Sequence, residues 1–299
     1  MKIIITGSLG HISKPLTGEL VQKGHSVIVI SSKPERKEDI EVLGAKAAIG
    51  TVEDVHFLTS VFAGADAVYC MLPPGGIFSD PDFDVMRHAD KVVNNYVQAI
   101  QKSGVKKVVY LSSIGAHTDK GNGILAFHYN AENSMKKLSA DIAITFMRPV
   151  GFYYNMLGFI NGIKAEGVIA SNYGAEDMIP WVSPIDIATA VAEEIGSSFT
   201  GRKVRYVVSE EITCNEAASI LGTAIGKPDL KWIVISDEQL LNGMKAFGMN
   251  ASLAEGFVEM NAAQHNGTLF EDYYRNKPAF GKIKLKDFAR EFAVAFSQK

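Results

Sequence analysis

Eight residues near the start of the chain, Thr6-Gly7-Ser8-Leu9-Gly10-His11-Ile12-Ser13, have the composition of an anion cradle. A diphosphate held where a strand meets a helix needs a tight turn, a backbone that can come close, and helix N-terminal amides aimed at the negative charge. Gly7 permits the turn and Gly10 the approach. The spacing is G-x-x-G rather than G-x-G, and the third glycine position holds Ser13, which is small enough for close helix–strand packing. Alone, such a loop also serves as an ordinary strand–helix turn. Its place after an apolar strand, at the head of a repeating strand–helix pattern, favours dinucleotide binding.

The second strand runs into Ser31-Ser32-Lys33-Pro34, with no acid until Glu35. An NAD site usually has a carboxylate here that accepts from the ribose hydroxyls. Two hydroxyls and the Lys33 ammonium suit a 2′-phosphate instead, so NADP(H) is preferred and NAD(H) is the alternative. The competing reading is a solvated basic turn made by Lys33, Arg36 and Lys37.

Hydride transfer to a carbonyl needs a proton donor beside the developing alkoxide, and a tyrosine with a lysine four residues on supplies one. The nearest match is Tyr129-Asn130-Ala131-Glu132-Asn133, where the lysine position holds neutral Asn133. Lys136 comes seven residues after Tyr129. Tyr129, helped by Ser113 or His128, is the candidate acid; its alternative role is packing under the cleft. His117 follows Ser112-Ser113-Ile114-Gly115-Ala116 at a strand end, where ligands of open α/β sheets bind. The seven histidines show no H-E-x-x-H or related spacing, so no catalytic metal is expected. The run Phe152-Tyr153-Tyr154-Asn155 offers flat apolar sides and an amide for a substrate, or else packing between two lobes.

These groups need a scaffold. Short β-branched runs begin near Ile3, Val27, Lys46, Ala67, Lys107 and Ile142, and amphipathic segments separate them. Apolar runs without alternation fit strands covered on both faces. The expected fold is α/β, a doubly wound parallel sheet of the Rossmann type with a smaller, mostly helical C-terminal part. Residues 1–150 would bind the cofactor and 151–299 the substrate, with the chain returning to the sheet near 180–210.

The whole chain, 299 residues with net charge −3, has 47% hydrophobic and 21% charged residues. That balance offers no attraction to phosphate backbones, so no nucleic-acid partner is expected. Two cysteines make no disulfide framework. No apolar run reaches the ~18 residues of a membrane span. A cytoplasmic location, no membrane partner and a small-molecule substrate are the expectation, with the oligomeric state open.

Several motifs in order resemble the NmrA-like proteins, an atypical branch of the short-chain dehydrogenase/reductase superfamily. They are the glycine loop at 6–13, Gly64-Ala65-Asp66-Ala67-Val68-Tyr69 leading to Met71-Leu72-Pro73-Pro74, and Gly104 through Ser113. Thr145-Phe146-Met147-Arg148-Pro149, Phe152 to Asn155, and Trp181 to Ala188 follow. The resemblance implies that Gly7, Ser8, Leu9, Gly10, His11 and Ile12 line a pyrophosphate and that Ser31, Ser32 and Lys33 surround the adenine ribose. It further implies that Met71, Leu72 and Pro73 run along the cofactor, that Ser112 and Ser113 approach the nicotinamide, and that Pro149 and Val150 flank it. Such proteins include NADPH-dependent reductases, quinone reductases and redox-sensing regulators that bind cofactor without turnover and act through a protein partner. An oxidoreductase of a small apolar acceptor, such as a quinone or enone, is the first expectation; a non-catalytic NAD(P) sensor is the second.

Overall fold

The computed structural model describes residues 1–76, 80 and 82–298. Seven strands form one parallel sheet. In chain order the first half runs β1 (Lys2–Ile5), α1 (Ser13–Gln22), β2 (Ser26–Ser31), α2 (Lys37–Val42), β3 (Lys46–Ile49), α3 (Val55–Phe62), β4 (Ala67–Cys70), α4 (Val85–Ser103), β5 (Lys107–Leu111), α5 (Ala126–Lys136) and β6 (Ala143–Pro149). The second half runs β7 (Gly151–Phe152), α6 (Ile160–Glu166), β8 (Ile169–Ser171), β9 (Met178–Val182), α7 (Pro184–Gly196), β10 (Arg202–Val207), β11 (Glu210–Thr213), α8 (Cys214–Ala224), β12 (Trp232–Val234), α9 (Asp237–Ala246), α10 (Ala251–His265), α11 (Glu271–Arg275) and α12 (Leu285–Gln298).

The sheet order is β10-β6-β5-β4-β1-β2-β3. The order reverses between β1 and β4, the place where open α/β sheets leave a crevice for a ligand at their carboxyl ends. The glycine loop leaves β1 at that point, and Met71 follows β4 beside it. β10 pairs with β6 in parallel from Arg202↔Ile144 to Val207↔Pro149, so the chain does return to the sheet after residue 151.

The strand residues read as continuous apolar runs because both faces are covered. Ile3, Ile5, Tyr69, Val109 and Met147 pack toward α1 and α7, while Ile4, Val68, Tyr110 and Phe146 pack toward α3, α4 and α5. Helix α4 shows how local sequence fixes an element. Asp84 caps it by accepting from the Arg87 amide at 2.9 Å, Val92, Val93, Tyr96 and Ile100 bury one stripe, and Gly104 ends it at φ +80°. Helix α8 starts with a reciprocal capping box between Thr213 and Glu216. Lys106 pairs with Asp141, and Lys107 reaches the carbonyls of Ile195 and Ser197 at the end of α7.

Beyond β6 the chain builds two small sheets, β11-β9-β7 and β12-β8, and the helices that follow residue 236. Among the described residues no helix is long and apolar enough to cross a membrane.

Candidate functional site

The turn after β1 is held from three sides. Thr6 donates its amide to the Tyr69 carbonyl at 3.1 Å, and its hydroxyl accepts from the Met71 amide at 2.9 Å. Ser13 Oγ donates to the Thr6 carbonyl at 2.9 Å, which ties the first residue of α1 back to the strand. Gly7 sits at φ +88°, and a Cβ there would lie 2.7 Å from Ser13 Oγ and 3.1 Å from the Met71 side chain. Glycine is therefore required twice, by conformation and by space. Gly10 donates to the Gly7 carbonyl at 3.1 Å and is exposed. The Ile12 side of α1 has no side-chain cap and no acid in its first turn. Among the described residues no acceptor faces the amides of Leu9, His11, Ile12 and Ser13. A helix end left this way is an anion site in waiting.

Ser8 Oγ donates to Ser31 Oγ at 2.9 Å, joining the loop to the end of β2. Ser31 is buried and also receives the Lys33 amide at 3.2 Å, so its hydroxyl serves the turn rather than facing solvent. Ser32 and Lys33 are exposed. Arg36 is paired with Asp39 at 3.1 Å and Lys37 with Glu41 at 4.0 Å, whereas no carboxylate among the described residues holds Lys33. On the other side of the crevice Met71, Leu72 and Pro73 are half-buried, and Tyr96 fixes the Met71 carbonyl with its hydroxyl at 2.8 Å.

Tyr154 reaches back to the loop. Its ring stacks on His11 with centroids 4.7 Å apart and planes 19° apart, and Phe152 lies 5.1 Å from it. Burial pushes the Tyr154 phenol up to about 12, so it stays protonated. Beneath, the buried Tyr69 hydroxyl has no hydrogen-bond partner; its phenol is pushed well up by desolvation, then by Cys70 and Tyr154. Asn155 is exposed, and Pro149 and Val150 are buried at the end of β6.

Four expected site residues have other partners or surroundings in the structure. Tyr153 does not line a substrate wall. It is buried, donates to Glu210 at 2.7 Å and stacks on Phe288 at 5.9 Å, because helical progression turns it away from Tyr154. The Ser112 side chain is buried. It donates to Glu132 at 2.7 Å inside a buried network in which Arg148 holds both Glu132 oxygens at 2.8 Å and reaches Asp272 at 3.0 Å. His117 lies near this network. Burial lowers its pKa, with Asp272 opposing and Arg148 assisting, and its Nδ1 is buried without a partner. Glu271 and Arg275 of α11 also act on its charge, the first raising and the second lowering its pKa. Ser31, as above, is the fourth.

Ser113 and Tyr129 are half-buried, and no hydrogen bond holds either hydroxyl or joins them among the described residues. Lys136 provides no substitute for the missing lysine. Its ammonium lies 3.3 Å from Glu132 and 5.5 Å above the Phe146 ring. His128 beside Tyr129 is lowered to about 3 by burial and has a partnerless Nδ1, so it is neutral.

A family profile described as NAD(P)H-binding matches residues 7–159. The chain belongs to this NAD(P)H-binding family. The NAD(P)H azoreductase of Xenophilus azovorans is 25% identical over 262 residues, covering 87% of this chain and 86% of that protein. Among solved structures, a Citrobacter sp. triphenylmethane reductase superposes with TM-score 0.76 at 21% identity, over 98% of this chain and 100% of that one. An Escherichia coli NADPH-dependent quinone oxidoreductase complexed with NADPH gives TM-score 0.79 at 20% identity, over 97% and 99%. At these identities the structural likeness is one of fold. An NAD(P)H-binding chain needs a diphosphate cradle, and the glycine required at Gly7 together with the free amides at the head of α1 fits that group.

Sequence reading missed the His11–Tyr154 stack and the buried Glu132–Arg148 pair. The stack joins residues 143 positions apart, which no local spacing encodes. Glu132 does carry a local signal, an acid with Lys136 one turn on.

Proposed function

We propose that the chain is an NADPH-dependent oxidoreductase of a small apolar acceptor, a quinone or an enone, on an NmrA-like scaffold. The observation that carries the choice of acceptor is the commitment of Lys136 to Glu132, 3.3 Å away, which leaves Tyr129 without a cation to lower its pKa. An ordinary carbonyl needs such an acid; a quinone is a good hydride acceptor whose reduced form is stable, so positioning does most of the work. The similarity to an NAD(P)H azoreductase over most of the chain supports an apolar aromatic acceptor.

In this reading the amides of Leu9, His11, Ile12 and Ser13 hold the diphosphate, with Gly7, Ser8 and Gly10 shaping the turn. Lys33 and Ser32 hold the 2′-phosphate, while Ser31 fixes the turn that presents them. Met71, Leu72 and Pro73 form one wall; Pro149, Val150 and the Tyr154 ring form the other. NADPH, when bound, supplies the hydride. The overall exchange is quinone plus NADPH plus one proton giving hydroquinone plus NADP⁺, with Tyr129, Ser113 or water delivering the proton. Residues 1–150 serve the cofactor and 151–299 the acceptor, apart from α7 and β10, which complete the sheet. A cytoplasmic location is part of the same reading.

The test is NADPH oxidation with a panel of quinones, enones and aromatic aldehydes. Turnover with quinones above aldehydes is expected. Tight NADPH binding with no turnover on any acceptor would overturn the reading in favour of a cofactor sensor that acts through a protein partner.

A further inference from the structure

We propose that Arg148 is a positioning residue of the reductase: through Glu132 and Ser112 it fixes where Ser113 and Tyr129, the side chains offered above as proton donors, stand relative to one another, and Asp272 of α11 completes its grip. This rests on the reductase reading and adds to it the group that orients the donors.

A donor with no partner of its own is placed only by the backbone that carries it. Asn133 leaves Tyr129 without a lysine, and neither the Tyr129 nor the Ser113 hydroxyl holds a hydrogen bond among the described residues. Their backbones are anchored close by. Ser112, next to Ser113, donates to Glu132 at 2.7 Å. Glu132 follows Tyr129 by three residues in α5, on the same side of the helix. The Ser112–Glu132 bond thus joins the two donor-bearing segments.

Arg148 holds that bond in place with every N–H of its guanidinium. Nε and Nη2 each bond one Glu132 oxygen at 2.8 Å, and Nη2 also reaches the Ala116 carbonyl at 3.3 Å. Nη1 reaches the Tyr206 hydroxyl at 3.2 Å and Asp272 at 3.0 Å. One planar group therefore ties the segment after β5, α5, β10 and α11 to the end of β6, beside Pro149 and Val150. The main chain repeats the connection on either side of Ser113: the Ser112 amide donates to Met147 at 2.8 Å and the Ile114 amide to Pro149 at 2.9 Å. Glu132 is fully buried and Arg148 is 5% exposed. Apolar residues of like volume often stabilise a core as well as such a pair does. They supply no directed bonds, and direction is what an unpartnered donor needs.

The front of α5 is held as closely. A Cβ on Gly123 would overlap the Gly256 carbonyl, so the 3₁₀ turn that leads into α5 lies backbone to backbone against α10. Tyr129 stands between this contact and Glu132. Helices beyond residue 250 take part in both holds, through Gly256 at one end and Asp272 at the other.

The experiment measures 1,4-naphthoquinone reduction by Arg148→Lys, Ser112→Ala and Asp272→Asn. Turnover is counted per NADPH site found by titration, so that unfolded chain is not scored. Lysine keeps the charge and gives up the fork, having three donors on one atom. Arg148→Lys is expected to lower kcat per site about tenfold, and Ser112→Ala and Asp272→Asn about threefold each, with KM and the NADPH dissociation constant within about twofold of wild type. The solvent deuterium isotope effect on kcat is expected to rise in all three, because proton delivery has slowed. Should Arg148→Lys not fold, the two milder variants decide. Glu194→Gln is the control, since Glu194 is buried and paired with Lys203 at 2.6 Å and Arg205 at 3.0 Å, away from both donors. It should lower Tm and leave kcat per site and the isotope effect as in wild type. An unchanged kcat per site in the folded variants, a loss without a change in isotope effect, or an equal loss in Glu194→Gln overturns the proposal and leaves the reductase reading standing. No turnover by the wild-type chain on any acceptor overturns the reductase reading and the proposal with it.

Discussion

The ring of Tyr154 lies face to face on the ring of His11, 4.7 Å between centroids, and so closes the aromatic segment after β6 against the glycine loop after β1. A pair of this kind contributes about 0.5–1.5 kcal/mol beyond its buried area. Tyr154→Leu is therefore expected to weaken NADPH binding about three- to tenfold, since the loop loses the contact that orders it. Tm should change little. An unaltered dissociation constant in titration calorimetry would remove the stack from the site.

Gly7→Ala attacks the loop itself. The substitution forces a side chain into φ +88° and sets its Cβ 2.7 Å from Ser13 Oγ. Strain of about 1–3 kcal/mol is expected, with NADPH binding lost or reduced at least about tenfold. Wild-type affinity in the variant would mean that the turn does not hold the diphosphate.

Lys33 separates the two nicotinamide cofactors. Its ammonium lacks a carboxylate partner, whereas Arg36 and Lys37 are each within 4.0 Å of one. Lys33→Ala is expected to weaken NADPH about tenfold and NADH less than about twofold. Equal losses for both would place Lys33 outside a 2′-phosphate site.

Glu132 and Arg148 are paired in a fully buried setting, with Ser112, Tyr206 and Asp272 completing the hydrogen bonds. Glu132→Ala leaves the guanidinium short of its main partner and is expected to cost about 3–5 kcal/mol. Glu132→Leu combined with Arg148→Met should cost clearly less, because the buried guanidinium is removed with its carboxylate, while Asp272 keeps the Tyr206 hydroxyl and Lys136 is exposed enough to be hydrated. Urea unfolding of the two variants gives the comparison; similar losses would show that the pair contributes packing and not charge compensation.

His128 makes stability depend on pH. Burial lowers its folded pKa to about 3, below an unfolded value near 6.5. The unfolded chain then binds the extra proton between these values, so its contribution is complete above about pH 6.5 and is lost as pH falls. His128→Phe is expected to flatten the stability curve between about pH 4 and 6 by up to about 1 kcal/mol per pH unit. A slope identical to wild type would show that other groups drive acid unfolding.

Much of the scaffold was legible because it is locally encoded. The β-branched runs that begin at Lys46 and Lys107 are the strands Lys46–Ile49 and Lys107–Leu111. The strands β8, β9, β11 and β12 were not singled out, since a strand such as Met178–Val182, with Pro180 inside it, takes its form from partners at Gly151 and Glu210. The site divided in the same way. Gly7 and Ser13 carry their roles in their types and spacing. Tyr153 and Tyr154 are adjacent and chemically alike, and only the turn of the backbone sends one to Glu210 and the other to His11. Ser112 and Ser113 part similarly, the first being taken by Glu132 from a helix 20 residues on.

Titration calorimetry of the purified chain with NADPH and with NADH bears most directly on whether the turn after β1 receives a dinucleotide. One site per chain, tighter for NADPH and lost in Gly7→Ala, is the predicted result. Heats no larger than dilution for both nucleotides would contradict it.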